Sequence, residues 1–168
     1  GGAVTFTGTG TLELAGNVTS LGTFTSASGS KVHYNGGAQT IVAASAKSAA
    51  YEDLEFSGGP KTLEGNTTVS DDLIFSEDYD LITAGHILSI KKTPTGYSDS
   101  RLIRRSSSTA DVTVKFINAT SGSAAECIIP VGVDGDLREV GILPEITGTE
   151  TYTVIYKNGS PYNGGVLN

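Results

Sequence analysis

The side chains able to do nucleophilic or metal chemistry are few, and their spacing matches no known catalytic pattern. His33 and His86 belong to neither an H-x-H nor an H-E-x-x-H arrangement, the spacings that place two imidazoles on one metal. His33 lies between Val32 and Tyr34 in an alternating run, which points it outward from a strand. Cys127 adjoins Ile128 and Ile129 and reads as a small core residue, with no neighbouring His or Lys to lower its thiol pKa. Ser28–Lys31 and Ser89–Lys92 have the S-x-x-K spacing but lack its companion motifs. With no G-x-S-x-G and no P-loop either, no catalytic residue is assigned and the chain is expected not to be an enzyme.

Charge is more organised. Residues 52–80 hold nine carboxylates against the single Lys61. Asp71, Asp72, Asp78 and Asp80 are the candidate metal ligands. If they met at one corner, their oxygens would suit Ca²⁺, although the D-x-D-x-D-G loop is absent and a solvated acidic face is the alternative. Asp134-Gly-Asp136 is a second such candidate, better read as a turn. A basic cluster follows in Lys91, Lys92, Arg101, Arg104 and Arg105, suited to an acidic polysaccharide or to the acidic face of a neighbouring module. Tyr34, Tyr51, Arg101 and Arg104 are the candidate carbohydrate contacts, with Tyr79 and Tyr97 as further stacking platforms.

The elements that must position these groups are strands. Twenty-two glycines accompany abundant Thr and Ser, while charged residues are only 17% of the chain against about 25% in an average soluble domain. Such residues form helices poorly and suit extended chain with tight turns. A net charge of -7 disfavours a nucleic-acid partner, and no apolar run is long enough to insert in a membrane. Gly1 is followed by no signal-type segment, so a processed product or fragment is expected. A lone cysteine disfavours a disulfide-stapled module.

Apolar pairs with period two recur along the first half: Val4/Phe6, Val32/Tyr34, Leu54/Phe56, Leu73/Phe75 and Leu88/Ile90. Glycine- and Asn-rich corners separate them, as at Asn35-Gly36-Gly37, Gly58-Gly59-Pro60 and Gly65-Asn66. Residues 3–29 align with residues 53–80 at an offset of about 50, the mark of a repeat array. The expected fold is all-β: a β-solenoid-like repeat region over residues 1–97, then a small antiparallel β-sandwich-like unit or cap over residues 98–168. A sandwich of hairpins gives nearly the same local pattern for the first half, but the long repeat favours the solenoid. The alanine-rich run from Ile41 to Tyr51 is read as a loop insertion rather than a helical turn.

Val32-His-Tyr-Asn-Gly-Gly-Ala-Gln-Thr-Ile41 and Tyr51-Glu-Asp-Leu-Glu-Phe, continuing to Asn66, carry a family likeness. They resemble a repeat found in very large secreted, adhesin-like surface proteins of the Bacteroidetes, cargo of that phylum's dedicated secretion system. Arg101-Leu-Ile-Arg104, Ile129-Pro-Val-Gly132 and Thr151-Tyr-Thr-Val-Ile-Tyr156 resemble the module that follows those repeats. Leu137-Arg-Glu-Val140 departs from it. The likeness implies an extracellular or cell-surface stalk, spacer or filament segment whose partners are neighbouring repeats, copies of the same protein or surface polysaccharide. It transfers no catalytic site. A carbohydrate-binding module is the first alternative and a β-helix polysaccharide lyase fragment the second.

Overall fold

A computed structural model describes residues 2–43, 50–106, 111–120, 126–133, 136–144 and 149–157, with backbone alone at 118–120. Among them there is no helix, and the strands wind into a β-solenoid-like stack of about five turns, with further sheets. Strands are numbered in chain order. One face is the parallel sheet β2 (Gly10–Leu14), β4 (Ser30–Tyr34), β6 (Asp53–Phe56) and β9 (Leu73–Phe75). A second is β5 (Gln39–Ile41), β7 (Lys61–Leu63), β10 (Leu81–Ile82), β12 (Ile103–Arg104) and β14 (Cys127–Val133), also parallel, closed by antiparallel β15 (Asp136–Ile142). The third is β8 (Thr67–Val69), β11 (Ile87–Ile90) and β13 (Val112–Thr120), closed by antiparallel β16 (Thr149–Tyr156). β1 (Ala3–Thr5) and β3 (Thr23–Thr25) form a parallel pair. Phe24 of that pair meets Tyr51, which bridges to Val69 of β8.

Alternation makes these short strands hold. On the first face Leu12, Val32, Leu54 and Leu73 stack in register, at steps of 20, 22 and 19 residues, and Leu14, Tyr34, Phe56 and Phe75 form the parallel row two positions on. From Val32 to Phe75 both rows are buried, while the residues between them face outward. Burial of each such side chain stabilises by about 1.5–3 kcal/mol. The Phe56 and Phe75 rings meet edge to face with centroids 4.5 Å apart.

The repeat unit is thus one coil of about 20 residues. The alignment at an offset of 50 residues set strands of different faces over one another. Leu14 belongs to the first face and Leu63 to the second, and Val4 pairs with Phe24 rather than lying over Leu54. The corners explain the confusion, since Gly16-Asn17 after β2 and Gly65-Asn66 after β7 both end an apolar strand with Gly and Asn.

Past Lys91 the winding continues. Thr95 bridges to Ile74 on the first face, β12 pairs with β10 on the second and β13 with β11 on the third. Antiparallel pairing, expected of residues 98–168, enters at β15 and β16 and is joined to the stack through β14 and β13. Residues 44–49 of the alanine-rich run, and Asp134 and Gly135, lie outside the described residues.

Candidate functional site

Successive corners are packed closely on one another. Gly58 has φ +75°, and a Cβ there would lie 2.5 Å from the carbonyl oxygens of Asn35 and Gly36 in the coil before. Corners packed this closely bury carbonyl groups that need donors. Two polar side chains at one ladder position supply them. Gln39 Nε2 donates to Leu14 O and Gly16 O, both at 2.8 Å. One coil on, the three N–H groups of Lys61 Nζ are shared among four carbonyl oxygens, Ser57 O (2.6 Å), Gly59 O (2.7 Å), and Gly36 O and Gly37 O (both 3.0 Å). Lys61 is fully buried. Burial pushes its ammonium down to about 8, partly opposed by the Glu77 carboxylate, and the surrounding carbonyl oxygens are what make a buried charge tolerable here.

The four acidic candidates do not converge. Asp71 and Asp72 cluster with Asp53, their carboxylate oxygens within 4.8 Å of one another. Lys92, from the next coil, reaches into that cluster, contacting Asp71 and lying 3.2 Å from Asp72 Oδ1. Its ammonium is held above its ordinary range, chiefly by the hydrogen bond to Asp71. Asp78 and Asp80 lie elsewhere, each against an arginine one coil further on: Asp78 Oδ1 is 2.6 Å from Arg101 Nε and Asp80 Oδ2 is 2.8 Å from Arg104 Nε. The Arg101 guanidinium holds the Asp78 carboxyl below its usual range. Asp80 also accepts the Leu102 N–H at 3.1 Å. The four-residue Ca²⁺ set is therefore corrected to two separate acid–base ladders, because the acidic and basic clusters are one coil apart and stack on each other.

Tyr34 and Tyr51 are corrected as well. Both are 0% exposed, so neither ring presents a face to a sugar. Their hydroxyls lie 3.1 Å apart; Tyr51 Oη donates to Val42 O at 2.6 Å, and the Val42 N–H donates to Tyr34 Oη at 3.3 Å. Burial pushes both phenols up from their usual range, Tyr51 most strongly. Arg101 and Arg104 remain partly exposed but spend their guanidinium groups on Asp78 and Asp80. Tyr79 is exposed. Cys127 is buried, as its apolar neighbours imply, and burial raises its thiol to about 11.

No family model, curated protein or solved structure matches this chain.

Two features escaped the sequence reading. On the outer row of the first face, Glu13, His33 and Glu55 stack in successive coils. His33 Nδ1 is 2.9 Å from Glu13 Oε2, and Glu55 pairs with Lys31 at 2.6 Å. The second is an open groove of about 440 Å³ beside the second face, between Asn17–Thr19 and Thr40, Thr62 and Glu64. An interval of about 20 residues, applied to 13, 33 and 55, is the signal that finds the first. The groove has no comparable signal, because it joins residues of three coils.

Proposed function

We propose that this chain is a structural and adhesive segment of a long extracellular surface protein, serving as a stalk or spacer, a role that needs no turnover. The observation behind this reading is the graded burial of the coils. Val4, Phe6, Leu12, Leu14 and Val18 of the first coil are only partly buried, whereas the matching Val32 and Tyr34 of the next are fully covered. β2 and β5 are the terminal strands of their sheets at that end. A coil of the same kind, from a neighbouring repeat or another copy, would bury those side chains and pair those edges. The likeness to Bacteroidetes surface repeats agrees with this reading, as does a charged surface whose partners lie mostly in the next coil. The test is thermal unfolding of this segment alone and with neighbouring repeats attached. The melting temperature should climb with each added coil; a value independent of length would sink the proposal.

The groove favours a second reading, a carbohydrate-binding module. Thr19, Thr40 and Thr62 hydroxyls, the Asn17 amide and the Glu64 carboxylate suit sugar hydroxyls, and Val18 and Pro60 offer apolar contact. Retention on a defined polysaccharide that is lost in Thr40→Ala/Glu64→Ala would support it, and equal retention by that variant would exclude the groove.

A further inference from the structure

The outer side of the first face brings together a carboxylate, an imidazole and a hydroxyl from three successive coils. Glu13 lies on β2, His33 on β4, and Ser57 directly follows β6. His33 Nδ1 is 2.9 Å from Glu13 Oε2, and His33 Nε2 is 2.9 Å from Ser57 Oγ. A carboxylate only accepts, so Nδ1 carries the ring proton. In the neutral ring Nε2 then accepts from the Ser57 hydroxyl, the polarity needed to activate a serine by general-base catalysis. We propose that Ser57 is a nucleophile toward short-chain carboxylic esters, with His33 as its base and Glu13 fixing the imidazole tautomer.

The surroundings suit the role. Asn35 Nδ2 donates to the same Glu13 oxygen at 2.6 Å. The Ser57 backbone is pinned on both sides: its N–H donates to Tyr34 O at 3.0 Å and its carbonyl accepts from Lys61 Nζ at 2.6 Å. Glu55 Oε1 lies 4.0 Å from His33 Nε2, on the side of the ring that faces Ser57. The Gly58 N–H, next in the chain, donates to Glu77 Oε2 at 2.7 Å. An N–H that already holds an anionic oxygen is suited to an ester oxyanion once the exposed Glu77 side chain swings away. Ser57 is partly exposed and Gly58 exposed, so the corner is reachable, and its openness favours small acyl groups.

The chemistry closes with water alone. Ser57 Oγ bonds to the acyl carbon while its proton passes to His33 Nε2. The C–O bond to the alcohol then breaks, and the alcohol leaves with that proton. Water, losing a proton to His33, attacks the Ser57 ester; the carboxylic acid departs and Ser57 Oγ regains its proton.

The whole chain should be assayed for hydrolysis of p-nitrophenyl acetate and for labelling by a fluorophosphonate, with the labelled peptide located by mass spectrometry. Expected are label on Ser57 and a fall in kcat/KM of about 100-fold in Ser57→Ala and His33→Asn. Glu13→Gln should lower the rate with unchanged melting temperature, and Glu77→Ala should speed labelling by freeing the Gly58 N–H. Label scattered over other serines, or Ser57→Ala hydrolysing like the wild type, would overturn the proposal. Should a variant fold poorly, the position of the label on the intact chain decides. The spacer reading stands apart from either result.

Discussion

The Lys61 ammonium lies 3.0 Å from the carbonyl oxygen of Gly36, in the corner one coil earlier. One buried cation thereby ties together carbonyl groups of two successive corners. Lys61→Met fills the same space but leaves Ser57, Gly59, Gly36 and Gly37 without that donor. It should destabilise the fold by about 3 kcal/mol in urea unfolding, while Lys31→Met, at a half-exposed site, should cost about 1 kcal/mol or less. Equal losses would show that the corner does not depend on the ammonium.

Tyr51→Phe should cost about 2 kcal/mol, since it leaves the Val42 carbonyl without its 2.6 Å donor in a buried setting. Its retention on any polysaccharide should match the wild type wherever both are folded. A selective loss of retention at unchanged stability would return Tyr51 to the ligand-binding surface.

Acid sensitivity follows from Glu55. Burial raises its carboxyl, but the hydrogen bonds from Lys31 and Ser76 and the nearby His33 outweigh that, and the net shift is downward. A carboxylate depressed in the folded state contributes stability that is fully present above its unfolded value and is lost as pH falls through the folded one. Glu55→Gln should therefore lose stability at neutral pH and flatten the acid limb of a stability–pH profile. An unchanged acid limb would mean that other carboxylates carry it.

Lys92 already occupies the cluster of Asp53, Asp71 and Asp72. Millimolar Ca²⁺ should move the melting temperature of the wild-type chain by no more than about 1 °C. A larger rise, abolished in Asp71→Asn/Asp72→Asn, would establish the cation site that the ladder geometry argues against.

Much of this was legible in the residues. Period-two alternation correctly put Val32, Leu54 and Phe56 inside, and it places Tyr34 on the same side as Val32. The hydroxyl led the other way, because a phenol suggests surface contact until a buried partner such as Tyr51 is known. The coil length was harder to see. With strands of two to five residues up to β12, each apolar pulse is too short to mark its face, and corners such as Gly16-Asn17 and Gly65-Asn66 look alike although they follow different faces. At the register of this step, 22 residues, Asp80 falls opposite Leu102 and Asp78 opposite Ser100, which brings Arg104 and Arg101, one or two positions further on, within reach of the two carboxylates. Lys61 was hidden for another reason: a lone cation in an acidic stretch reads as surface charge, and only the stacking of glycine corners creates the carbonyl-lined place that takes it.

The in-register stacking of coils also sets how the protein would answer a pull along its axis. One coil of about 20 residues adds about 4.8 Å of height, yet drawn out straight it spans about 70 Å. Each rung that peels away would thus release many times its own thickness in slack, so that a tether built from such coils would lengthen in discrete steps before its attachment failed.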